Sequence, residues 1–122
     1  MDIIYEQLVL RANTPVYDEI YIQKEEDDKL GFQYSVKTTE ITEDKRITFP
    51  SFMIMSITPN GKAERHKMRL GSEIISINNI DVTIDNYHDL IKNDKLNIKV
   101  NTSYCMIYQL LLREGKKFNF HY

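Results

Sequence analysis

The stretch FMIMSITPNGKAERHKMRLGSEIISINNIDV, residues 52–82, carries most of what the chain says about its fold. Ser51 to Ile57 is an apolar run of strand length. Thr58-Pro59-Asn60-Gly61 reads as a turn, because Pro presets φ and Asn-Gly accepts positive φ. Lys62 to Met68 is a short helix, and Leu70-Gly71 is expected to stop it with a left-handed glycine. Ile74 to Ile77 is a short buried strand. Asn78-Asn79 turns it, asparagine being the commonest non-glycine residue to tolerate that conformation. Ile80 to Val82 is a further short strand.

On the N-terminal side, residues 1–12 alternate loosely and read as a strand, and Asn13-Thr14-Pro15 break it. Val16 to Gln23 is a strand rich in Val, Ile and Tyr. Lys24 to Lys29 is all charge and reads as a solvated loop. Leu30 to Val36 alternates again, and Lys37 to Phe49 is a polar, long connection. On the C-terminal side, Asp85 to Asn93 is a helix with Thr83 or Asp85 as its N-cap. Leu96 to Val100 is a strand. Tyr104 to Leu112, REGKK, and Phe118 to Tyr122 read as strand, turn, strand.

Strands with two short helices inserted, and no βαβ alternation, exclude a doubly wound parallel sheet. The expected fold is mainly β: a partly open antiparallel barrel or sandwich of five to six strands capped by two helices. Residues 1–14 form an N-terminal extension with an extra strand, 15–101 the domain, and 102–122 a C-terminal strand-turn-strand extension. Residues 20–34 and 108–122 also align without a gap, with Asn119 opposite Gly31. Two segments are too few for a repeat protein, and a hairpin is the plainer reading.

Composition narrows the function. A chain of 122 residues is read as one domain, and 42% apolar with 28% charged residues is ordinary for a globular protein. The net charge of −2 argues against a dedicated nucleic-acid binder. Cys105 is the one cysteine, so no intramolecular disulfide forms and a reducing, cytoplasmic location is expected. MDIIYEQLVL lacks the features of a signal peptide, and no apolar run reaches the ~20 residues of a membrane span. There is no phosphate-cradling glycine loop, no His-x-x-x-His, no Cys pair and no Gly-x-Ser-x-Gly. Cys105 reads as an inert buried thiol, and His66, His88 and His121 lack metal-ligand spacing. An enzyme is not expected, nor a cofactor or metal.

Residues 52–82 resemble the middle of a PDZ domain. In that family a strand runs into a Pro-Gly turn, an Ala-led short helix, a Leu-x-x-Gly-Asp-x-Ile stretch and an Asn-Gly turn. The corresponding residues are Pro59, Gly61, Ala63, Met68, Gly71, Ile74, Asn78 and Asn79. Ser72 stands where the family usually has Asp, and Asn79 where it usually has Gly. The resemblance extends over residues 16–101.

Gly31 is the only glycine in the first sixty residues. From the residues alone it either shapes a hairpin or admits the close approach of a ligand's backbone. The resemblance matches Leu30-Gly31-Phe32 to the family's apolar-Gly-apolar loop. It implies that backbone N–H groups there form a nest for a peptide's terminal carboxylate, while the peptide's last residues add to the second strand. The peptide-binding residues so implied are Leu30, Gly31, Phe32, Gln33 and Tyr34 on the strand side. On the helix side they are Ile84, His88 and Ile91, spaced to share one face. Tyr87 and Leu90 then face the core, and Lys29 assists the carboxylate. Ile84 in the first helical position implies an apolar-x-apolar chain end as ligand.

The partners implied are the C-terminal peptides of other proteins, tails of membrane proteins among them, which would bring the chain to the inner membrane surface. Three other readings are open. One is a structural or oligomerisation module with a closed groove. Another is a surface for lipid headgroups at Lys62, Arg65, His66, Lys67 and Arg69. The last is weak self-association, with Phe120-His121-Tyr122 docking in a neighbour's groove.

Overall fold

The computed structural model describes residues 10, 14–25, 29–34, 39–40, 48–49 and 51–113. In chain order these form β1 (Tyr17–Gln23), β2 (Phe32–Tyr34), β3 (Thr39–Glu40), β4 (Thr48–Phe49) and β5 (Ile54–Ile57). Then follow α1 (Lys62–Arg65), β6 (Glu73–Ile77), β7 (Ile80–Asp81), α2 (Tyr87–Leu90), β8 (Lys95–Asn101) and α3 (Cys105–Arg113). The architecture is mainly β and antiparallel, as expected, with eight strands among the described residues rather than five or six.

Alternation builds the larger sheet, because successive side chains of a strand point to opposite faces. Ile20 and Ile22 of β1 and Leu96, Ile98 and Val100 of β8 are buried, while Tyr17, Tyr21 and Gln23 are exposed. β1 and β8 pair antiparallel from Tyr17↔Asn101 to Gln23↔Lys95. At the open end of this pair Thr102 N–H donates to the Val16 carbonyl at 2.8 Å. The sheet order is β1-β8-β6-β7. Asn78 and Asn79, with φ of 53° and 66°, turn β6 into β7 as anticipated. The Asn78 side chain accepts from Asn97 N–H at 2.8 Å and donates to the Lys95 carbonyl at 3.1 Å, tying the turn to β8.

β2 and β5 form a separate antiparallel pair, and so do β3 and β4. The connection expected over Lys37 to Phe49 is thus strand at Thr39–Glu40 and Thr48–Phe49. Between β2 and β5 the partners run Phe32↔Ile57, Gln33↔Ser56, Tyr34↔Ile54. Met55 is skipped, which is a β-bulge. Because of it Phe52, Ile54 and Ile57 all turn toward the main core, whose other walls include Ile22, Ile98, Ala63 and Leu90. Met53 and Met55 are equally buried but stand apart from that core, on the opposite face.

That opposite face is covered by α3. The expected strand over Tyr104 to Leu112 is therefore corrected to a helix. Tyr104, Cys105 and Tyr108 are buried and Met106 is 66% exposed, a helical spacing. Tyr108 Oη donates to the Met55 carbonyl at 3.3 Å, and Gln109 Nε2 to the Leu70 carbonyl at 3.2 Å. The 108–122 segment begins in this helix, whereas residues 20–34 begin in a strand, so the gapless alignment is not a structural repeat. Phe118 to Tyr122 lie outside the described residues. So do residues 1–12 save Leu10, which is helical rather than extended.

Gly71 does not end α1. Lys67 does, with φ 62°. Lys67 N–H donates to the Glu64 carbonyl at 3.0 Å and Met68 N–H to the Ala63 carbonyl at 3.0 Å, the paired bonds of a Schellman stop. Gly71 has φ 84° for a different reason: a Cβ there would lie 2.9 Å from Tyr108 Cβ and 3.0 Å from Cys105 Cα. The glycine lets α3 touch the backbone ahead of β6.

Candidate functional site

A cleft of about 470 Å³ lies between β2 and α2. Its strand side is set by the loop at Gly31, which has φ 81°. A Cβ on Gly31 would meet Gly61 Cα and Thr58 Cβ at 3.4 Å, so the two glycines let the loop and the 58–61 turn pack closely. The loop is anchored through its carbonyls. Ala63 N–H donates to Leu30 and Thr58 N–H to Gly31, both at 2.8 Å. Since Thr58 bonds Gly31, one step outside Phe32↔Ile57, that pair is of the non-hydrogen-bonded kind. The Phe32 amide and carbonyl therefore point away from β5. β2 has β5 on one side only, and its other edge opens on the cleft.

The helix side is set by the entry into α2. Thr83 and Asn86 bond reciprocally: Thr83 N–H to Asn86 Oδ1 at 2.7 Å, and Asn86 N–H to Thr83 Oγ1 at 3.2 Å. This reciprocal pair closes the turn ahead of α2, whose N-cap is Asn86 rather than Thr83 or Asp85. Tyr87 and Leu90 are buried as expected. Lys24 ties the end of β1 to the end of α2: its N–H donates to the Asp94 carbonyl at 2.7 Å and its Nζ to the Ile91 carbonyl at 2.5 Å.

Of the residues singled out in the sequence, Lys29, Leu30, Gly31, Phe32, Tyr34, His88 and Ile91 line this cleft together. Two do not. Ile84 is corrected: it lies in the turn that Thr83 and Asn86 tie, is 69% exposed, and does not line the cleft. Helical spacing was extended one turn too far, since α2 begins at Tyr87. Gln33 contributes backbone to β2, but its side chain is exposed on the other face and accepts from Ser56 Oγ at 3.0 Å. Thr58, Tyr87 and Lys92 line the cleft without having been foreseen there. Lys92 was legible, being four residues after His88 on the same helical face.

An aromatic stack floors the site. Tyr34 lies 4.4 Å from Tyr87 and 6.0 Å from Phe52, and Phe52 lies 5.3 Å from Tyr87, centroid to centroid. Phe52 adopts φ 57°, a conformation bulky side chains seldom take. Burial pushes the Tyr87 hydroxyl far above the ordinary tyrosine range, with the Tyr34 hydroxyl adding to it, and burial also raises Tyr34. A raised folded-state pKa means the folded protein holds its proton where the unfolded chain has released it. That stability is complete below the unfolded value of 10.0 and is lost as pH rises beyond it. Unfolding free energies from urea titrations above pH 10 should therefore fall, by up to about 1.4 kcal/mol per pH unit for Tyr87. Tyr87→Phe should flatten that fall, and an unchanged slope would show that Tyr87 ionises freely in the folded state.

Among the described residues no three His, Cys, Asp or Glu side chains gather to hold a metal. No described helix is long and apolar enough to cross a membrane. Burial raises the Cys105 thiol, against the opposing effects of the Ser72 hydroxyl 3.3 Å away and of Arg69.

No protein-family profile matches the chain, and no curated protein sequence matches it. Among solved structures it is similar to the dmPar3 PDZ1 domain in complex with the dmPar6 PBM, at 18% identity and a TM-score of 0.49 over 68% of this chain and 91% of that one. It is also similar to INAD PDZ3 in complex with a TRP channel tail, at 14% identity and a TM-score of 0.47 over 75% of this chain and 91% of that one.

Proposed function

We propose that the chain is a protein interaction module that receives the C-terminal peptide of a partner as an added strand between β2 and α2. The observation that carries this reading is the direction of the Phe32 amide, toward the open edge of β2, beside a glycine in the left-handed conformation. Main-chain bonds along β2 supply affinity, and the cleft supplies selectivity. The terminal carboxylate sits at the Leu30-Gly31-Phe32 loop with Lys29 beside it. The last side chain is apolar, because Leu30, Phe32 and Ile91 form the walls. The side chain two before it meets His88 rather than Ile84, so the apolar-x-apolar preference narrows to its final residue.

Affinity is modest, since a short peptide loses conformational freedom on binding. The test is a random library of ten-residue peptides with free C-termini, compared with amidated copies by fluorescence anisotropy. Amidation should weaken the best binders by about 30-fold, the scale of losing charge-assisted hydrogen bonds to one carboxylate. Equal binding of free and amidated copies would refute the reading.

A further inference from the structure

The ionisable side chains of the cleft, tyrosines aside, are Lys24, Lys29, Lys92 and His88. Three lysines in one cleft stand out in a chain whose formal net charge is −2. They come from three separate places: the residue after β1, the loop before β2 and the second residue past α2. Lys24 is half-buried and held by the Ile91 carbonyl, so its charge is fixed at the cleft rather than swinging in solvent. Lys29 and Lys92 are exposed at its mouth. Glu25, Asp89 and Asp94 are close to these lysines in sequence, but none of them lines the cleft; Glu26, Asp27 and Asp28 lie outside the described residues. Among the described residues no carboxylate faces the three lysines across it. Against the described lining, one terminal carboxylate matches one of the three cations.

From this we infer that the partner's chain end is acidic, carrying at least one Asp or Glu side chain among the three residues that include the terminal one, in addition to the terminal carboxylate. The inference rests on the peptide-binding reading above and adds the charge class of the partner. Charges of one sign gathered in a concave site raise the local concentration of the opposite sign and speed its arrival. The apolar walls stay with the final side chain, and the added carboxylate meets the lysines at the rim. Exposed pairs of this kind are individually weak and sensitive to salt.

The experiment uses the full chain and two pairs of ten-residue peptides, all ending in leucine with a free carboxylate. One pair differs only by Asp or Asn at the next-to-last position, the other only by Asp or Asn two before the end. In at least one pair the Asp peptide should bind about four-fold tighter at low salt, the scale of an exposed ion pair. The advantage should fade near 0.5 M salt, where the screening length is about 4 Å. In the Lys29→Gln, Lys92→Gln double variant the Asp and Asn peptides of each pair should bind equally, both weakened by the loss of Lys29 beside the terminal carboxylate.

Equal affinities within both pairs, with amidation still weakening binding about 30-fold, would overturn this inference and leave the peptide-binding reading standing. Insensitivity to amidation would remove both. Vesicles containing phosphatidylserine are the remaining arm. Capture by them that depends on Lys29 and Lys92, without any Asp preference among peptides, would reassign the cations to a membrane surface and overturn the proposal.

Discussion

Gly71→Ala is expected to destabilise the protein by about 3 kcal/mol, and Gly71→Val to leave no cooperative unfolding transition, because two independent penalties meet at one atom. The first is conformational: the residue sits at φ 84°, where a side chain is strained in any surroundings. The second is steric. The new Cβ would stand 2.9 Å from Tyr108 Cβ, 3.0 Å from Cys105 Cα and 3.3 Å from the Tyr104 carbonyl oxygen. None of these is the loose end of a flexible side chain, so relief requires moving α3 as a body. Urea unfolding followed by tyrosine fluorescence measures the effect. A loss below about 1 kcal/mol for Gly71→Ala would mean that α3 does not press on this backbone, since the left-handed strain by itself accounts for that much.

Tyr108→Ala should cost about 4 kcal/mol, the upper part of the range for emptying an aromatic-sized space in a core. Tyr108 is 1% exposed and is the largest of the fully buried side chains among the described residues. Its hydroxyl donates to the carbonyl of the bulged Met55 of β5. Tyr108→Phe keeps the ring and removes the hydroxyl, leaving a buried carbonyl short of a donor, and should cost about 1–2 kcal/mol. The difference between the two variants separates packing from hydrogen bonding. Thermal denaturation of both should rank them Ala below Phe below the parent. Equal midpoints for parent and Tyr108→Ala would show that α3 is dispensable to the fold.

The strands and turns of residues 16–23 and 51–101 were legible because their signals are local. Pro59-Asn60-Gly61, Asn78-Asn79 and the alternation in β1 and β8 specify backbone conformation within a few residues, and the structure follows them. α3 was not legible as a helix. YCMIYQLLL is apolar, short and rich in aromatic and branched residues, and a short apolar run does not separate a buried strand from a buried helix by periodicity. The signals that favoured a helix were weaker: Thr102-Ser103 ahead of the run and Arg113 at its end. Gly71 was read as a helix stop because its role depends on a contact with residues over thirty positions away, while Lys67 took the left-handed stop that propensity assigns to Gly or Asn. At the cleft, the loop and Ile91 were visible in the sequence. Ile84 was misplaced because the Thr83–Asn86 exchange of bonds delays the start of α2, a matter of two hydrogen bonds that no hydrophobic pattern reports.

The bond between Thr102 and Val16 brings the chain's entry into the sheet beside its exit. With α3 detached, a tether on both flanks would pull on the same end of the β1–β8 pair. The load would then fall on one ladder bond at a time, as in opening a zipper, and not on all of them in parallel as in shear. Such a pair yields at low force once α3, which follows it, has been peeled from Met55 and Gly71.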